Sequence, residues 1–147
     1  MGYQLLGVDP TQITAATAIP EFPLGSIGED EKGNRFIYGR ANGAIVAKVP
    51  CAMDSSYDFV DGNGVVADAV SMVAFSDNQF GWFQVYGVCE DVNVEAGTAA
   101  GGLLALIADA NGDFQAADND SVTNGLGHVR AKALTAIAAN VSDIYLY

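Results

Sequence analysis

The chain has 147 residues, half of them apolar, which suits one domain whose core needs no disulfide or metal staple. Six Lys and Arg stand against eighteen Asp and Glu, and the resulting net charge of −12 repels phosphate backbones and argues against nucleic-acid binding. No apolar run approaches the roughly 18 residues of a membrane span, and no basic stretch followed by an apolar one opens the chain, so no secretory signal is expected and synthesis is placed in the cytoplasm.

Residues 1–20 carry one charge, Asp9, and two prolines, Pro10 and Pro20, which bias the chain toward extended conformations. This segment reads either as an extended N-terminal arm that gains order against a partner or as a first strand on the chain's own sheet. Residues 21–147 read as a single β-rich domain. Within it, 24–27 lead into an exposed hairpin turn at 29–34, where Gly33 and Asn34 supply positive φ, and 35–38 return as a strand. An apolar strand is expected at 44–49, a second turn at 61–64, and an apolar run over 65–75 that ends at the polar residues 76–79.

The densest strand signal comes next. Gly81 and Gly87 bracket Trp82, Phe83, Gln84, Val85 and Tyr86, and such aromatic and β-branched side chains favour a pleated surface. At period two, Trp82, Gln84 and Tyr86 share one face, and Phe83 and Val85 share the other, with Cys89 extending the latter. Both faces are bulky and apolar, which places the strand between two layers. A buried Gln84 amide must then find hydrogen-bond partners.

Farther on, 97–102 form a Gly/Ala loop, 103–108 a short buried strand, and Asn111-Gly112 a tight turn. Residues 118–127 are a polar surface loop. The alanine-rich stretch 128–140 fits a helical stripe through Leu126, Val129, Ala133, Leu134 and Ile137, and equally a strand face through Val129, Ala131, Ala133, Thr135 and Ile137. Propensity alone favours the helix. Residues 141–147 close the chain as a strand, with Val141, Tyr145 and Tyr147 alternating against Ile144 and Leu146. Turns roughly every ten residues indicate a mainly β fold, a compact antiparallel β-barrel or β-sandwich.

Reactive constellations are scarce. Cys51 and Cys89 make no CxxC pair, and both read as buried reduced thiols. Asp109, Asn111 and Asp113 imitate the start of a calcium loop, but Phe114 and Asp120 stand where an EF-hand needs glycine and glutamate. His128 is the single histidine; with Arg130 and Lys132 it reads as a small basic patch, and no nucleophile motif accompanies it. Glu29, Asp30 and Glu31, like Glu90 and Asp91, read as solvated turn carboxylates. The expectation is no enzyme, no metal and no cofactor.

The apolar arm, Leu24-Gly25 leading to Gly33-Asn34-Arg35-Phe36-Ile37-Tyr38, and the strand Phe80-Gly81-Trp82-Phe83-Gln84-Val85-Tyr86-Gly87 are followed by a Gly/Ala loop, an Asn-Gly turn, an alanine-rich segment and a closing strand. This order resembles the capsid decoration, or head cement, proteins of tailed bacteriophages, whose aromatic Gly-Trp-x-Gln-x-x-Gly strand matches residues 81–87 most closely. The resemblance implies a compact β domain, jelly-roll-like in some architectures, on the outer surface of a mature virion. It would bridge major capsid protein subunits as a homotrimer, or in some members a dimer. It favours a strand over 129–139. It makes Tyr3, Leu5, Leu6, Val8, Ile13 and Ile19 of the arm capsid-contact candidates, and Trp82, Gln84 and Tyr86 core or oligomer candidates. The alternative from another class is a β-sandwich ligand-binding module, lectin-like and assisted by calcium at 109–120; a small hydrolase using His128 is the third.

Overall fold

The computed structural model describes residues 4–62, 67–94, 103–108, 114–116, 129–135 and 141–147. Every regular element among them is a strand, as the composition predicts. The strands are β1 (Gln4–Leu6), β2 (Ile13–Thr14), β3 (Ile27–Glu29), β4 (Arg35–Ala41), β5 (Pro50–Met53) and β6 (Asp58–Asp61). They continue with β7 (Ala69–Ser71), β8 (Phe80–Asn93), β9 (Leu103–Ala108), β10 (Phe114–Ala116), β11 (Val129–Ala133) and β12 (Val141–Leu146). All belong to one sheet in the order β1-β3-β4-β6-β5-β7-β8-β12-β11-β9-β10, with β2 and β4 also paired to β8.

The β4–β8 pairing closes a circuit of hydrogen-bonded neighbours, from β4 through β6, β5, β7 and β8 back to β4. These strands share one apolar cluster, built on Phe59 and Phe83 stacked at 3.8 Å between ring centroids, with Phe75 against Phe83 at 4.8 Å. Gly39 and Gly81 lie directly opposite each other on β4 and β8, and their missing side chains leave the space that Phe59 and Phe75 fill. The sheet is mixed rather than wholly antiparallel: β1 runs parallel to β3 and β4 parallel to β6. At the second of these, Arg40 and Asp58 are paired in register, and Arg40 Nε and Nη2 both donate to the Asp58 carboxylate, Nε at 2.8 Å. A bidentate ion pair of this kind, with the Asp58 carboxylate sheltered and Arg40 partly exposed, fixes the register of a pairing that only two residue pairs define.

β8 organises the rest. Its first half has both faces buried, as its composition predicts: Phe83 enters the shared cluster, while Phe80 and Trp82 pack with Phe36 and Tyr38. Two bulges then change its phase. Arg35 pairs with Tyr86 and Phe36 with Gln84, leaving Val85 as the extra residue. Farther on, Ser142 pairs with Val92 and Ile144 with Cys89, and Asp91 adopts φ +56. Each inserted residue swaps the faces of the side chains after it. Cys89 therefore does not extend the Phe83 face. It packs instead with Val70, Val92, Ala131, Ala133, Ile144 and Leu146, a separate core beneath β11 and β12.

The 29–34 hairpin forms as predicted, with Gly33 at φ +82, but Asn34 is not left-handed. Asp30 instead accepts the N–H groups of Lys32 (2.8 Å) and Asn34 (2.9 Å) and the Asn34 side-chain amide (2.8 Å). Residues 44–49 do not form a strand. Ile45 makes a single bridge to Phe75, and Lys48 at φ +65 turns the chain into β5. Of the 65–75 run, residues 67–75 are described, and among them only Ala69–Ser71 is strand, because continuous apolar composition does not separate a strand from a buried turn. The alanine-rich segment is strand, not helix, over Val129–Ala133, held between β9 and β12. Along β12, Ser142, Ile144 and Leu146 are buried in the predicted alternation. β9 and β10 pair antiparallel, and the predicted turn between them at 109–113 lies outside the described residues, as do the 97–102 and 118–127 loops and residues 63–64 of the 61–64 turn.

Gly87 stands at φ +99, and a Cβ there would collide with Asn34 Oδ1, the atom that accepts the Val88 N–H at 2.9 Å. Gly87→Ala is expected to cost about 2–3 kcal/mol in urea denaturation through strain and overpacking. Asn34→Ala is expected to cost about 1–2 kcal/mol by leaving the part-buried Val88 N–H without its acceptor. In the double variant the collision is gone, so the summed cost should fall short of additivity; strict additivity would show that the two residues do not meet.

Candidate docking surface

The three central candidates separate by depth. Trp82 is core: its ring lies 5.1 Å from Tyr38 and 5.3 Å from Phe22, under the segment that follows β2. The Tyr38 hydroxyl ties that segment down, sharing a hydrogen bond with Thr14 (3.0 Å) and accepting one from the Glu21 N–H (3.3 Å). Gln84 is core as well. Its Nε2 donates to the carbonyls of Tyr86 (3.1 Å) and Val88 (3.0 Å), which bracket the bend at Gly87. Two carbonyl acceptors fix the amide orientation, since only the NH₂ end can serve both. The structural hydrogen bonds predicted for Gln84 are thus present, while its Oε1 has no partner among the described residues.

Tyr86 alone of the three faces outward. The bulge at Val85 and the register of β12 bring it beside Tyr145, whose hydroxyl donates to that of Tyr86 at 2.9 Å. The rings meet edge to face at 5.8 Å, and Tyr147, the residue after β12, continues the strip at 6.3 Å from Tyr145. The hydrogen bond to Tyr86, and secondarily its own desolvation, hold the Tyr145 hydroxyl above its ordinary pKa. Arg35 lies over the Tyr86 ring at 5.3 Å and reaches Glu29 at 3.7 Å. Next to this strip, Ile27, Ile37 and Val85 join Arg35 and Tyr86 around a depression of about 380 Å³.

The result is a contiguous surface from β3 across β4 and β8 to β12, rich in tyrosine and branched aliphatics with one arginine. Period-two reading sets Tyr145 and Tyr147 on one face of the closing strand, but it assigns Tyr86 to the face of Trp82 and Gln84, which are buried while Tyr86 is exposed. It misses Ile27, Arg35 and Ile37, which arrive through the cross-strand pairs Ile27–Ile37 and Arg35–Tyr86.

The N-terminal candidates also divide. β1 pairs with β3 and β2 with β8, so residues 4–14 lie along the domain's own sheet. Leu5 and Val8 pack on the Trp82 cluster, whereas Leu6 (80 %), Ile13 (41 %) and Ile19 (89 %) are exposed. Tyr3 lies outside the described residues, as do His128 and the 109–113 and 118–120 aspartates. Among the described residues β1 has a single strand neighbour in the pairing order and stands at one end of it.

Among the described residues no three His, Cys, Asp or Glu side chains converge as a metal site would require. No protein-family model matches the chain, and no curated protein matches it.

Both cysteines are free and buried, and burial pushes each thiol up to about 12. The thiolate is the reactive form, and at pH 8 it is nearly absent from both. An aromatic disulfide reagent at pH 8 is therefore expected to leave the native protein unlabelled for hours and to titrate both thiols at once in urea. Rapid native labelling of either cysteine would contradict this burial.

Proposed function

We propose that this protein decorates the head of a tailed bacteriophage, binding the outer surface of the mature icosahedral capsid and cementing neighbouring major capsid protein subunits. The Tyr86–Tyr145–Tyr147 strip, with Arg35 and the aliphatic depression beside it, carries this reading. Tyrosine and arginine are the residues enriched in the binding cores of interfaces, and few others combine a wide apolar face with a polar tip. Here Arg35 on β4, Tyr86 on β8, Tyr145 on β12 and Tyr147 just past it are already held by cross-strand pairing and by their own ring contacts, so little side-chain freedom is lost on docking. The resemblance of residues 81–87 to the aromatic strand of decoration proteins supports the same reading.

The work required is physical. A protein that binds the expanded shell better than its precursor stabilises the expanded state by that difference in affinity. Contacts of about 1,600 Å² suffice for stable attachment, and a homotrimer or dimer would add avidity by engaging several capsid subunits together. The exposed Leu6 and Ile19, and the place of β1 at one end of the pairing order, supply a second contact suited to strand addition. The strong negative charge keeps an abundant protein soluble before assembly.

Co-sedimentation with expanded heads stripped of their decoration tests the proposal. The wild-type protein is expected to pellet with the heads. Tyr86→Ala combined with Tyr145→Ala should weaken binding at least about tenfold while far-UV circular dichroism and a cooperative urea transition show a folded protein. Wild-type protein left in the supernatant, or a double variant that binds undiminished, would overturn the proposal.

A further inference from the structure

Strand register brings the exposed Leu6 into line with the tyrosine strip. Leu6 on β1 pairs with Glu29 on β3, Glu29 with Arg35 on β4, and Arg35 with Tyr86 on β8. Leu146 pairs with Gly87, so the next residue, Tyr147, falls beside Tyr86. Residues opposite one another in paired strands share a face of the sheet. Leu6, Glu29, Arg35, Tyr86 and Tyr147 therefore form one row, about 19 Å long at about 4.8 Å per strand. Leu6 is 80 % exposed in this row, while its neighbour Leu5 turns the other way into the Trp82 cluster. Beside the row, the paired Ile27 and Ile37 line the depression together with Val85.

The charges on this face cancel. Arg35 is paired to Glu29 at 3.7 Å and lies over the Tyr86 ring. Beyond the row, Lys132 stands opposite Tyr145, and Asp143 lies two residues before Tyr145 on β12, so these two add one charge of each sign. The face is thus neutral on a chain whose net charge is −12. A charged patch of a partner would lose hydration here without meeting an excess of opposite charge. An apolar patch would instead meet Leu6, Ile27, Ile37, Val85 and the tyrosine rings.

We infer that this row takes an uncharged, apolar ridge of the capsid shell, with one large apolar side chain of the ridge seated in the depression. Attachment is then driven by apolar burial and not by charge, and Leu6 joins the contact that the tyrosines make. The inference rests on the reading of the protein as a head decoration, and it adds to that reading the chemistry of the surface that the shell must present.

Co-sedimentation with stripped, expanded heads at low and at high NaCl, about 50 and about 500 mM, tests the inference. The dissociation constant of the wild-type protein is expected to change less than about twofold, whereas attachment through charge would weaken about tenfold or more as screening increases. Leu6→Asp should weaken binding at least about tenfold. Val46→Asp, the same change at a site 60 % exposed and off the row, should bind like wild type. A cooperative urea transition checks that both variants are folded. Wild-type binding that collapses with salt, or a folded Leu6→Asp protein that binds undiminished, would overturn the inference while leaving the head-decoration reading in place. So would a free oligomer that Leu6→Asp dissociates in sedimentation velocity, since the row would then belong to a second copy of the chain. Wild-type protein that stays in the supernatant at both salt concentrations would overturn the reading and the inference together.

Discussion

The Asn34 side chain captures the Val88 N–H where Gly87 bends β8, and the two halves of the sheet depend on that contact. Before the bend, β8 pairs with β2, β4 and β7; after it, with β12, which carries β11 and the strands beyond. Asn34 is itself anchored by Asp30, and Gln84 staples the carbonyls of Tyr86 and Val88 from the inner side. A straight β8 would keep Cys89 in phase with Phe83 and withdraw it from the core under β11 and β12. The bend is thus what allows one fourteen-residue strand to serve different cores along its length.

The same irregularity shapes the outer surface. Tyr86 lies between the Val85 bulge and the Gly87 bend, where the strand stops presenting a fully buried face. There it meets Tyr145 from β12 and Arg35 from β4, so three strands of different sequence position converge on one aromatic strip. The N-terminal strands cover the other side of β8, with Leu5 and Val8 closing the Trp82 cluster while Leu6 and Ile19 stay in contact with solvent.

Much of this was legible in the residues alone, and what was not has physical causes. The strand over the aromatic run of β8 and the alternation of β12 are local patterns and appear as read, whereas Tyr86 leaves the face it was assigned with Trp82 and Gln84. The Asp30–Asn34 turn was found, although its work is done by the Asn34 side chain rather than by a left-handed backbone. The apolar stretches 44–49 and 65–75 misled, because their hydrophobicity reflects burial at Ile45, Val49, Val70 and Phe75 and not extended pairing throughout. Alanine-rich β11 went against propensity, since pairing on both sides outweighs an intrinsic preference of a few tenths of a kcal/mol per residue. The bulge at Val85 and the left-handed Asp91 carry no compositional mark, so the side on which Cys89 falls was not readable. Arg35, Ile27 and Ile37 join the docking surface through long-range register, which single-sequence periodicity does not encode.

Hydroxyl-radical footprinting of the protein free and bound to expanded phage heads, read at individual tyrosines, tests the central claim most directly. The account requires Tyr86, Tyr145 and Tyr147 to lose most of their reactivity on the heads, with Tyr57, exposed on the turn before β6, changing little. Bound protein whose strip tyrosines stay as reactive as in the free state, while Tyr57 or another surface becomes protected, would show that the shell is held by a different face.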